Sequence, residues 1–263
     1  MKTPSLNPTP GALEGAPSVL GLQDVDVSSQ HDPATILIRN VSWEVRVGER
    51  WLVTGDPGSG KSTILQVAAG LVRPVNGRHS LFGRDAAELG EEELLERRSR
   101  LGVVFSGGGR LFHHLTVAEN LALPLLYHAR RPGDACLERV GPMLEALGLG
   151  EYAHSLPRDL PRRIAPRAAL ARALVLMPEV LLLDDPVAGQ VAEETVWWCE
   201  FLADWAVGKT PAGTGRGTWV IATQDTRHWG GLANRCARVV GGRWQPTESP
   251  GDGGLVLRPT AGG

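Results

Sequence analysis

Trp51-Leu52-Val53-Thr54-Gly55-Asp56-Pro57-Gly58-Ser59-Gly60-Lys61-Ser62-Thr63 decides how this chain is read. An apolar, strand-like run leads into a loop with glycines at 55, 58 and 60, and a helical pattern over 61–69 follows. Strand, glycine-rich turn and helix in that order form a cradle for phosphate. Gly55, Gly58 and Gly60 admit backbone conformations closed to other residues. Successive N–H groups of the loop, which Asp56, Pro57 and Ser59 complete, can then converge on phosphate oxygens at the positive end of the helix. Lys61 is placed to reach the outer phosphates, Ser62 to offer its hydroxyl to Mg²⁺, and Thr63 to contact an inner phosphate. The stretch predicts a nucleotide-triphosphate loop.

Such a loop needs a carboxylate at the end of a neighbouring strand to hold the Mg²⁺ shell, and a second carboxylate where water is to be activated. Val180-Leu181-Leu182-Leu183-Asp184-Asp185-Pro186 supplies both. Asp184 is the candidate for metal-bound water, and Asp185 the candidate general base.

Working outward, strands are expected at 20–27, 35–38, 41–47, 51–54, 101–105, 180–184 and 218–223, with helices at 61–69, 91–98, 136–147, 166–176 and 191–207. The runs at 180–184 and 218–223 are short, apolar and flanked by helical patterns, as in parallel strands buried on both faces. The order predicts an α/β fold with a mainly parallel core sheet. In the last helix Trp198, Phe201, Leu202 and Trp205 recur at helical spacing and read as a core-facing stripe. Pro-, Gly- and Ser-rich compositions mark 1–19 and 245–263 as flexible tails and 208–217 as an exposed loop, leaving 20–244 as one domain.

The chain has 263 residues, enough for one large domain with an inserted subdomain. A net charge of −2 gives no electrostatic footprint for nucleic acid. Its three cysteines, Cys136, Cys199 and Cys236, are widely separated and lack metal-ligand spacing, which points to reduced thiols used in packing. Neither a signal peptide nor a membrane span is expected, because no apolar run approaches the roughly 20 residues that a spanning helix needs. Any membrane attachment must therefore come through a partner.

Several segments together resemble an ABC-transporter nucleotide-binding domain. Arg39-Asn40-Val41-Ser42-Trp43-Glu44-Val45 with Gly48-Glu49 is similar to the family's strands before the phosphate loop, and Leu111-Phe112-His113-His114-Leu115-Thr116-Val117-Ala118-Glu119-Asn120 to the segment after its Gln-loop. Ala169-Leu170-Ala171-Arg172-Ala173-Leu174 matches the helix after its signature motif, and Gly241-Gly242-Arg243 its terminal turn. The resemblance implies a P-loop NTPase of the ABC ATPase type, with an N-terminal antiparallel β part and a helical subdomain inserted within about 91–174. It further implies ATP and Mg²⁺ as ligands, sandwiched between two such domains. Leu121-Ala122-Leu123-Pro124-Leu125-Leu126-Tyr127-His128 is most similar to ATPases of the Mce-linked lipid-transport type.

Against the family pattern, several catalytic positions are altered. Ser106, followed by Gly107-Gly108-Gly109, stands at the Gln-loop position and would reach metal-bound water less far. The signature Leu-Ser-Gly-Gly-Gln aligns with Leu160-Pro161-Arg162-Arg163-Ile164, where Pro161 has neither hydroxyl nor N–H to offer a partner's γ-phosphate. Arg162 and Arg163 either substitute charge for backbone amides or form a solvated basic patch. Asp185 replaces the family's catalytic Glu and is one methylene shorter, so slow hydrolysis is expected. Gln224 stands at the switch His position and can donate a hydrogen bond but carry no proton. Val191 occupies the D-loop Asp position; Ser29, with His31 nearby, occupies that of the adenine-stacking aromatic.

The resemblance thus implies an ATP-binding subunit that dimerises on MgATP, as a homodimer or with a second ATP-binding subunit, and drives a separate transmembrane permease. It would sit peripherally on the cytoplasmic face of the inner membrane, with hydrolysis through Asp185 and Gln224 slow or asymmetric. The alternative is a non-hydrolysing ATP-binding module that regulates or holds together a membrane complex.

Overall fold

The computed structural model describes residues 15–107, 110–128, 133–211 and 217–247. The tail readings for residues 1–14 and 248–263, residues 212–216 of the loop at 208–217, and Gly108-Gly109 lie outside those residues.

In chain order the elements are β1 (Ser18–Ser28), β2 (Ile36–Arg46), β3 (Arg50–Gly55), α1 (Lys61–Ala68), β4 (Asn76–Leu81), β5 (Arg84–Asp85), α2 (Glu91–Ser99), β6 (Leu101–Val104), α3 (Val117–His128), α4 (Gly133–Ala146), α5 (Ile164–Leu174), β7 (Val180–Asp184), α6 (Ala192–Ala206), β8 (Thr218–Ala222), β9 (Arg235–Val240) and β10 (Arg243–Thr247). The strands form one sheet in the order β5-β4-β1-β2-β10-β9-β3-β8-β7-β6. From β9 to β6 every neighbouring pair is parallel, whereas β1, β2, β4 and β5 pair antiparallel among themselves; β10 joins the two parts, parallel to β2 and antiparallel to β9. The expected division into an antiparallel N-terminal part and a parallel core is present.

The core strands are buried on both sides because their apolar residues do not alternate with polar ones. Leu181 and Leu183 of β7, with Trp219 and Ile221 of β8, pack on the side of α3, α5 and α6. Val180, Leu182, Val220 and Ala222 pack on the other side, against Ile64, Leu65 and Ala68 of α1. Trp198, Leu202 and Trp205 are fully buried and Phe201 is 8% exposed, so the aromatic stripe of α6 is core.

Three readings change. The segments at 35–38 and 41–47 form one strand, β2; the apparent break is a register shift at Asn40, which has φ 52° and whose N–H donates to Asp26 Oδ1 at 2.8 Å. Asn is among the few residues that tolerate that left-handed conformation. The interval 91–174 contains β6, which pairs in parallel with β7, and α3 and α4 follow it. Helix α3 contains Pro124, which hid it from a propensity reading; its start is closed by a capping box in which Glu119 Oε2 accepts from the Thr116 N–H at 2.7 Å and the Glu119 N–H donates to Thr116 Oγ1 at 3.3 Å. Strand β10 runs to Thr247, past the tail boundary read at 245, and pairs with β9 throughout.

Candidate nucleotide-binding site

In open α/β sheets, ligands gather beyond the carboxyl ends of the parallel strands. Strands β3 and β7 flank β8, and β6 lies next to β7. Their ends therefore bring Gly55, Asp184, Thr223 and the Ser106 segment to one edge.

The loop from Gly55 to Gly60 carries β3 into α1. Gly60 has φ 98°, and a Cβ there would stand 3.1 Å from side-chain atoms of Leu37 and Ile38, so conformation and surroundings both require glycine. Lys61 Nζ donates to the carbonyls of Gly55 at 2.7 Å and Asp56 at 2.8 Å, which lays the ammonium across the mouth of the loop. Burial lowers the pKa of Lys61, and the carboxylates of Asp185, Asp184 and Asp56 oppose the shift. A buried cation surrounded by carboxylates suits a polyanion that arrives with a metal ion.

Ser62 Oγ donates to Asp184 Oδ1 at 2.9 Å, and Asp184 is 8% exposed. A hydroxyl and a carboxylate are hard oxygen donors, the type that Mg²⁺ and its bound water take, so the chemistry of the pair fits the ion. Ser62 and Asp184 would hold Mg²⁺ and its water shell; when bound, the ion neutralises charge on the outer phosphates.

Beside them Asp185 turns its backbone to φ 45°. Its Oδ1 accepts from Thr223 Oγ1 at 2.9 Å. Burial pushes the Asp185 carboxyl up, helped by Asp184 and opposed by the Thr223 hydroxyl and Lys61. Ser106, Gln224, Ser29 and His31 line the same cleft, of about 490 Å³, as Lys61, Ser62, Thr63, Asp184 and Asp185. Gly55, Asp56, Pro57 and Ser59 are not among the residues lining that cleft; Ser59 N–H donates to Asp56 O at 3.2 Å within the loop. Residues from Gly58 to Gln224 thus share one cleft although they lie far apart in the chain.

Three contributors escaped the sequence reading. Arg110 lines the cleft beside Ser106, its guanidinium 4.5 Å over the Phe105 ring and its carbonyl accepting from Arg172 Nη1 at 3.0 Å. Gln66 also lines the cleft, bonded to Gln30. Thr223 is fully buried behind Asp185. A threonine directly before the switch position and an arginine closing a glycine run were the available signals.

Arg162 and Arg163, in the segment read as the signature, are exposed and also make contacts within their own chain. The Arg162 guanidinium packs against Gly189, where an added Cβ would stand 3.0 Å from Nη2, and Gln190 Nε2 donates to Arg162 O at 3.4 Å. Arg163 Nη1 lies 3.9 Å from Glu194 Oε1, beside the closer pair that Glu194 makes with Arg167. Arg162 thus packs on the turn before α6, and Arg163 stands at the edge of the Arg167–Glu194 pair.

The ABC transporter family model matches residues 38–188, more than half of the chain. This chain belongs to the ABC transporter family. Among its relatives, the intermembrane phospholipid transport system ATP-binding protein MlaF of Haemophilus influenzae is 34% identical over 155 residues, covering 59% of this chain and 58% of that protein. The lipoprotein-releasing system ATP-binding protein LolD of Pseudomonas fluorescens is 35% identical over 175 residues, 64% of this chain and 74% of that one. The matched stretch thus spans a little over half of the MlaF relative's length. A solved dimeric bacterial ABC transporter cassette superposes with TM-score 0.73 at 26% identity, covering 86% of this chain and 96% of its own. Among the described residues no helix of this cassette is long and apolar enough to cross a membrane.

Proposed function

We propose that this cassette binds MgATP in the cleft between the phosphate loop and Asp184, dimerises around the nucleotide, and drives a separate membrane permease as a peripheral subunit on the cytoplasmic face of the inner membrane. The observation that carries the reading is the convergence of Lys61, Ser62 and Asp184 in one cleft, with the Ser62 hydroxyl bonded to the Asp184 carboxylate. The family membership and the dimeric form of the similar solved cassette support it. Two relatives named for phospholipid transport and lipoprotein release support a lipidic cargo, selected by the permease.

In hydrolysis, water attacks the γ-phosphorus, the bond to the β–γ bridging oxygen breaks, and ADP and phosphate leave, with the water's proton passing to the Asp185 carboxylate. Lys61 and Arg110 balance phosphate charge, and Gln224 donates to the outer phosphate. Turnover is slow, because Asp185 is one methylene shorter than glutamate. The combined changes at Asp185, Gln224 and the signature favour a second reading, a non-hydrolysing ATP-binding module of a membrane complex. With Pro161 in the signature, a second ATP-binding subunit supplies the more complete half of the dimer.

The test is ATP binding and phosphate release by the purified chain, alone and with its permease, against Lys61→Ala. Binding with slow, Lys61-dependent release supports the transporter reading; binding with no release in either setting supports the second; no binding sinks both.

A further inference from the structure

Thr223 follows the last residue of β8, and its side chain is fully buried. Its backbone N–H donates to Val53 O at 3.0 Å, which fixes it against the end of β3. Its hydroxyl is committed on both sides, donating to Asp185 Oδ1 at 2.9 Å and accepting from the Asp225 N–H at 3.1 Å. Asp185 is anchored to the same strand end, its N–H donating to Ala222 O at 2.8 Å. The carboxylate and the hydroxyl thus hang from adjacent strand ends, with little freedom to separate.

We infer that Thr223 is the positioning residue for Asp185: its hydroxyl holds Oδ1 so that Oδ2 faces the cleft, where it takes the proton of the attacking water. The inference rests on the proposed hydrolytic role of Asp185. An unrestrained aspartate at φ 45° would sample several rotamers, most of them not aimed at the γ-phosphate position. A buried hydroxyl whose other lone pair is already occupied can hold one of them. Asp225 steadies the arrangement from behind, because its carboxylate is held by Arg227 Nε at 2.9 Å.

The test is steady-state ATP hydrolysis by the full chain with Thr223→Val, which keeps the shape and removes the hydroxyl, and with Thr223→Ser, which keeps the hydroxyl. Each is also made in an Asp185→Asn background. Thr223→Val should lower kcat by about tenfold or more, part of the roughly 10²–10⁴-fold that general acid–base help supplies, with KM for ATP within about twofold. Thr223→Ser should restore most of kcat, and Thr223→Val should add little once Asp185 is Asn. An unchanged kcat in Thr223→Val overturns the inference. So does a loss confined to KM, or an equal loss in the Asp185→Asn background, since each leaves Asp185 out of the effect. A wild type that hydrolyses ATP equally well as Asp185→Asn overturns the role of Asp185 itself. A wild type that binds MgATP and releases no phosphate ends both the hydrolytic reading and this inference, with ATP binding left standing.

Discussion

Ser62 Oγ donates to Asp184 Oδ1 across 2.9 Å, joining residues 122 positions apart in the chain. The bond links the first turn of α1 to the last residue of β7, and it places two oxygen donors where a phosphate-bound Mg²⁺ would lie. Asp184→Asn removes a charged ligand and leaves the backbone cradle intact. ATP affinity in the presence of Mg²⁺ should fall about 10- to 100-fold, while affinity measured with excess chelator changes little. Titration with a fluorescent ATP analogue under both conditions reads the difference.

Arg110 should respond to the γ-phosphate. It lines the cleft beside Ser106, and its guanidinium is held over Phe105. Arg110→Ala should weaken ATP binding by about tenfold and ADP binding by much less, in keeping with loss of one charge-assisted contact. Calorimetric titration with each nucleotide gives the ratio; an equal loss for both would place Arg110 away from the terminal phosphate.

Asp185→Glu tests the missing methylene. If reach limits turnover, the longer side chain should raise phosphate release by about tenfold at unchanged ATP affinity, and Asp185→Asn should reduce it toward the background of Lys61→Ala. A coupled phosphate-release assay on the three variants separates reach from charge.

Cys199 should be a poor nucleophile. Burial, with the neighbouring Glu200 charge, pushes its thiol pKa up to about 11, and Sγ donates to His228 O at 3.5 Å. A raised thiol pKa keeps the neutral form dominant, so at pH 8 about one molecule in a thousand carries the thiolate. Alkylation of Cys199 by iodoacetamide, followed by peptide mass mapping, should be slow in the native chain at pH 8, accelerate as pH approaches 11, and become fast at pH 8 after unfolding.

Glu194, at the start of α6, is buried, and both its oxygens accept from Arg167 at 2.8 Å. Arg167→Ala leaves that carboxylate short of its main partner and should destabilise the chain by about 3 kcal/mol. Urea denaturation should show it as a lower midpoint at unchanged slope.

The fold was legible where side-chain period and backbone role coincide. β7, β8 and the stripe of α6 carry their burial in their apolar pattern, and the phosphate loop carries its conformation in its glycines. Strands β4 and β10 were not legible: their sequences, Asn76–Leu81 and Arg243–Thr247, are polar and are held by pairing with β1 and β9. Asp184 and Asp185 could be placed from the strand before them. Thr223 and Arg110 could not, because their roles come from which strand ends the sheet order brings together. The Arg162 and Arg163 alternatives likewise needed the partners on the segment leading into α6.

Whether the loop from Gly55 to Thr63 holds the phosphates of MgATP is read from equilibrium ATP binding by the wild-type chain and by Lys61→Ala. Binding by the wild type should be saturable and Mg²⁺-dependent, and weaker by about 100-fold or more in Lys61→Ala with the fold retained by circular dichroism. Equal affinities in the two proteins, or no saturable binding by the wild type, would contradict that role of the loop.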